Sequence, residues 1–151
     1  MAISEKNLLL ALSNEEPQYF EILAKLDEKA IAYLSTLSKG KDVMLATKAI
    51  FLAGLYNKPS GHAIVESASK STVLLKRIAS ASALDYMPEE KRDRLAEKLI
   101  DDTDISIQKL VIKAAGKSKS PKLREKFSKL SKDSPSKFIR DLVSAIPITL
   151  P

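Results

Sequence analysis

The sequence predicts an all-α protein: a right-handed α-α superhelix (solenoid) of about five antiparallel helix pairs. Three observations point there. Glycine is scarce at 4 of 151 residues, aromatics make up 5% and Trp is absent, which disfavours the turn-rich and aromatic-rich sheets of β folds. Apolar residues recur at helical spacing along most of the chain. The same succession of breaker, cap and core returns about every 31 residues. A chain of 151 residues suffices for one core, and a single repeat domain is expected over 1–151, with repeats at 4–27, 28–57, 58–87, 88–118 and 119–147.

The first pair is predicted at 4–13 and 17–26, with Pro17 opening the second helix and Tyr19, Phe20, Leu23 and Leu26 supplying apolar faces. The remaining second helices align as DVMLATKAIFLAG (42–54), TVLLKRIASASAL (72–84), DISIQKLVIKAAG (104–116) and SPSKFIRDLVSAI (134–146). One core position falls on Leu45, Leu75, Ile107 and Phe138. Ala49, Ala79, Val111 and Leu142 follow four residues on, then Leu52, Ser82, Ala114 and Ala145 after three more. Offsets of zero, four and seven share one helix face. Each segment opens with a residue of capping type, Asp42, Thr72, Asp104 or Ser134, and Pro135 suits the first helical position.

The first helices of these pairs carry Leu34, Ile64, Leu95 and Phe127, then Leu37, Ser67 (or Ala68 in its place), Leu99 and Leu130. Asn57 to Gly61, Met87-Pro88 and Ser118 to Pro121 separate the pairs. Pro88 followed by Glu89 and Glu90 makes a favourable helix start, because acidic side chains suit the positive end of the helix dipole. Gly54 and Gly116 read as helix-end or close-packing glycines. The tail IPITLP (146–151) contains Pro147 and Pro151 and cannot continue a helix.

DISIQKLVIKAAG and DVMLATKAIFLAG resemble the second helix of HEAT-type repeats in their short bacterial form, and the resemblance extends over roughly 28–146. The position after the first core aliphatic, usually basic in that family, holds Ala46, Lys76, Gln108 and Ile139 here. Armadillo repeats are a neighbouring match. Tetratricopeptide repeats fit less well, since their Trp, Gly and Tyr positions are missing. The resemblance implies stacked hairpins with the second helices lining a concave side that holds another macromolecule.

Composition excludes several chemistries. With no cysteine there is no disulfide, thiolate metal site or cysteine nucleophile. His62 is the single histidine, which excludes multi-histidine metal sites and leaves a Ser-His triad without support. Asp101-Asp102-Thr103-Asp104 lacks the alternating ligands, glycine and later glutamate of a calcium loop, so Asp104 reads as a helix cap. The expectation is a non-enzymatic module without cofactor, metal or small-molecule substrate. With no signal-peptide pattern and no stretch long enough to span a bilayer, a cytoplasmic location without membrane contact is expected.

The net charge is +6, unevenly distributed. Residues 1–58 balance seven lysines against seven acids, whereas 105–140 carry eleven basic residues against Glu125 and Asp133. On a helical wheel, the residue two beyond the core position points away from the core at about 200°. That column holds Thr47, Arg77, Lys109 and Arg140, with Lys76 beside Arg77 and Lys113 close to Lys109. Arg77, Lys109, Arg140, Lys113 and Lys76 are therefore expected to form a basic ladder along the concave face. The expected partner is a protein, an acidic peptide or helix lying in the groove, whose carboxylates would meet the arginine forks. The alternative is sequence-independent binding of a nucleic-acid backbone by the basic C-terminal repeats. Phe127 and Phe138, assigned to the core, would then leave no aromatic for base stacking.

Overall fold

The computed structural model describes residues 2–146, so most of the proline-containing tail lies outside the described residues. Among the described residues the protein is all-α, with ten helices, one short 3-10 turn and no strand. The helices are α1 (Glu5–Leu12), α2 (Tyr19–Leu23), α3 (Glu28–Ser38), α4 (Val43–Leu55), α5 (Pro59–Ser69), α6 (Leu74–Ser82), α7 (Glu89–Leu99), α8 (Ile105–Ala115), α9 (Pro121–Asp133) and α10 (Lys137–Ser144). The 3-10 turn, Ala83–Tyr86, follows α6. No helix among the described residues is long and apolar enough to cross a membrane. The chain divides into two compact units, Met1–Met87 and Pro88–Pro151.

In the first unit α4 is the central element, packed against α1, α2, α3, α5, α6 and the 3-10 turn. That position explains its composition: Ala49, Ile50, Leu52, Ala53, Gly54 and Leu55 are all buried. Glycines set the closest approaches. A Cβ on Gly54 would lie 2.6 Å from the Cβ of Ala83, and one on Gly61 would lie 2.3 Å from the Ala53 carbonyl oxygen and 2.5 Å from that of Tyr56. Glu28 ties α3 to this corner by accepting from the Tyr56 hydroxyl at 3.0 Å and the Ser60 hydroxyl at 2.8 Å. Burial, and then the Glu28 carboxylate, push the Tyr56 phenol above its ordinary pKa.

In the second unit α7 packs on α8 and α9, and α10 on α8 and α9. Leu95, Ala96, Leu99, Ile107, Val111, Leu123, Phe127, Ile139 and Val143 are buried. Ser118 and Ser120 donate to Asp93 at 2.7 Å and Glu97 at 2.8 Å, fixing the loop before α9 to α7.

Burial recurs at a steady step. Leu34, Val65, Ala96 and Phe127, each 31 residues after the last, are at most 1% exposed. The second helices are capped at Asp42, Val73, Asp104 and Ser136, at steps of 31, 31 and 32. Seven residues past each cap lie Ala49, Ser80, Val111 and Val143, again at most 1% exposed. Ala68, not Ser67, fills the inward place in α5.

These caps correct the expected register. Asp42 and Asp104 cap as expected, each accepting a backbone N–H of the first turn. Thr72 and Ser134 do not: the caps fall at Val73 and Ser136, which leaves Pro135 outside α10. In consequence Leu75 is 47% and Phe138 51% exposed, while Lys76 and Ile139 turn inward. Ile107 occupies the core as expected, and Leu45 is half-buried beside a fully buried Ala46. Pro17 stays outside α2, which begins after Gln18 and spans 5 residues, and Pro88 caps α7 from outside its first turn.

Two substitutions test this packing. Ile107→Ala should lower unfolding stability by about 2–5 kcal/mol in denaturant titrations of the full chain. Gly61→Ala should lower it by about 1–3 kcal/mol, because backbone carbonyls, not flexible side chains, occupy the space its methyl needs.

Candidate functional site

The loops that feed the second helices share one device. The residue two before the cap accepts the cap's own N–H through its side chain: Ser71 for Val73, Asp102 for Asp104 and Ser134 for Ser136, at 3.0, 3.0 and 3.2 Å. The carbonyl of that same residue accepts from the side chain four past the cap. Arg77 donates to Ser71 at 3.1 Å, Gln108 to Asp102 at 2.8 Å and Arg140 to Ser134 at 2.6 Å. Before α4 the equivalent residue is Gly40, and Ala46 stands where the donor would be. There the Gly40 carbonyl accepts from Lys76 of α6 at 3.0 Å.

Three of the five basic residues assigned to the ladder therefore hold loop carbonyls. Lys76 is 8% exposed, so it does not stand on an open face. Arg77 and Arg140 are half-buried. Counted from the caps, Arg77 and Arg140 fall four residues in, whereas Thr47 and Lys109 fall five in, so the expected column is two columns. The five-in column reads Thr47, Ile78, Lys109 and Asp141 and is not uniformly basic. Arg77 belongs to the first unit, and Lys109, Lys113 and Arg140 belong to the second.

Lys109 and Lys113 do face outward. Lys113 is exposed, and the Lys109 ammonium lies 5.9 Å from the centroid of the Phe138 ring. At that distance the ring's negative face attracts the charge. Phe138, which the expected register placed in the core, is exposed beside Lys109. The exposed large apolar side chains include Met44, Leu74, Leu75, Ile105 and Phe138, each in the first two positions of a second helix. In the first unit Phe51 of α4 meets Tyr19 and Tyr86 edge to face, at 5.0 and 5.6 Å.

Hydrophobicity does not reveal this exposed set, because in α6 and α10 the larger apolar side chains, Leu75 and Phe138, point away from the core. The usable signal was the Ser-x-Val, Asp-x-Asp and Ser-x-Ser spacing, which marks the caps independently of it. His62 is buried in α5, and its Nε2 lies 3.0 Å from the Asn57 side-chain oxygen. Among the described residues no group of three or more His, Cys, Asp or Glu could hold a metal ion. Neither a protein-family model nor a curated protein matches the chain.

The clasp has its own test. Arg140→Met should destabilise the chain by about 1–3 kcal/mol by leaving the Ser134 carbonyl without its donor. Arg140→Gln should recover most of that loss, since Gln108 makes the same bond with an amide; thermal unfolding of the two variants side by side reads the difference.

Proposed function

We propose that the protein is a non-enzymatic interaction module, a HEAT-like right-handed solenoid of about five helix pairs, which binds a protein partner through the exposed faces of its second helices. The observation that carries this reading is the recurrence of exposed apolar side chains in the first turns of α4, α6, α8 and α10. Met44 is 61% exposed, Leu75 47%, Ile105 48% and Phe138 51%. Apolar groups at a shared place in successive repeats favour a binding role over chance exposure. In α6 the inward positions are taken by Lys76 and Ser80, each hydrogen-bonded to a carbonyl, while leucines face out. An inversion of local rules of that kind is characteristic of functional surfaces.

The corrected caps also support the family resemblance. The position usually basic in HEAT repeats becomes Ala46, Arg77, Gln108 and Arg140, with two arginines in place of one lysine. Nucleic-acid binding draws support from the lysine surplus between 105 and 140. A phosphate backbone, however, makes no use of exposed Met, Leu and Ile, which places the protein partner first.

The test is affinity capture from extract of the source cells by the wild-type chain and by Leu74→Ser/Leu75→Ser, quantified by mass spectrometry. Exposed substitutions of this kind should shift stability by no more than about 0.5 kcal/mol. Proteins retained by the wild type should be lost from the variant with its helical circular dichroism unchanged. An identical capture list for both chains would remove the apolar surface from the proposal.

A further inference from the structure

One ridge of α8 joins an exposed apolar side chain to a series of lysines. Ile105, Lys109 and Lys113 follow at four-residue steps, and Lys117 continues the series just past the helix end. Four other cations of this unit are paired with acids: Arg92 with Asp93, Arg94 with Glu90, Lys126 with Asp101 and Lys137 with Asp141. Among the described residues Lys109, Lys113 and Lys117 have neither an ion pair nor a hydrogen bond. Lysines four apart on a helix repel one another. The helix dipole offsets this for Lys113 and Lys117 near the C-terminus, but not for Lys109 in mid-helix. The Phe138 ring, exposed on α10, lies under the Lys109 ammonium, and Ile105, one helical turn before Lys109, is exposed as well.

We propose that this surface docks an acidic amphipathic helix of a protein partner. An apolar side chain of that helix covers Ile105 and Phe138, and its carboxylates, also at four-residue steps, face Lys109 and Lys113. The fit rests on charge and on spacing. Four residues of α-helix advance about 6 Å, so a second helix lying along α8 presents carboxylates at the same interval as the ammonium groups. The exposed Ile105 and Phe138 distinguish this occupant from a polyanion, which needs the lysines and not the apolar end. The inference rests on the protein-binding reading above and adds the partner's chemistry.

The experiment is fluorescence anisotropy with the full chain and three labelled probes. The first is an alanine-based peptide of about 18 residues with leucine followed by glutamate four, eight and twelve positions later. The second is the same composition in scrambled order, and the third a single-stranded DNA of matching charge. The ordered peptide should bind at least about tenfold more tightly than the scrambled one. Lys109→Glu/Lys113→Glu should abolish that binding, and Phe138→Ser should weaken it about tenfold, with circular dichroism reporting the fold. Lys113→Glu alone, at an exposed position, should weaken binding several-fold and serves if the double variant fails to fold. Equal binding of both peptides, or tighter binding of DNA, overturns the acidic helix. No binding by the ordered peptide, with leucine-dependent capture from extract intact, overturns the inference and leaves the broader reading standing.

Discussion

The longest helices among the described residues, α4 and α9, have 13 residues, a length at which an isolated helix is marginal in water. Every element of this protein therefore owes its stability to a neighbour. What recurs along the chain is the means of securing neighbours: an inward side chain at 34, 65, 96 and 127, and a cap near every thirty-first residue. Burial alone would let a short helix rotate or slide by one position. The loop clasp prevents that, since one residue before each of α6, α8 and α10 is held at both its side chain and its carbonyl. The start of each helix is thereby fixed to the residue.

The clasp also explains how much the sequence could reveal. Helix content and the order of the helices were legible, because breakers and apolar spacing report them directly. Rotation about the helix axis was legible only where apolar character and cap agree, as in α8, whose Asp104 and Ile107 leave no choice. In α6 they disagree. Its buried positions hold Lys76, Ala79, Ser80 and Ala81, and its exposed ones hold Leu74 and Leu75. A search for the apolar face selects the leucines and turns the helix the wrong way. In α10, Phe138 competes with Ile139, and the larger side chain draws the alignment one residue off.

The candidate site suffered from the same error in mirror image. With Leu75 and Phe138 read as core, cations dominate the remaining surface and arginines become its chief feature. With the caps in place, Arg77 and Arg140 become structural groups whose charge is directed at carbonyls. On α8 and α10, lysines and first-turn apolar residues then remain among the exposed groups. Long-range pairing was invisible from sequence for a separate reason: nothing local links Lys76 to Gly40, 36 residues earlier. That bond satisfies the Gly40 carbonyl where Ala46 has no donor to offer.

This division of labour bears on how a partner would be held. A recognition surface gains most when its groups are fixed before the partner arrives, because less side-chain and backbone entropy is lost on binding. The first turns of α6, α8 and α10 are fixed by hydrogen bonds that the surface itself does not use, and their apolar side chains emerge two residues or fewer from the anchored caps. Lys109 is held further by the ring beneath it, whereas Lys113 extends freely into solvent. A partner that needed only positive charge would be served as well by any of the exposed lysines in this unit. One that also needs a shaped apolar contact is better served where an anchored first turn and a lysine ridge meet, as at the start of α8.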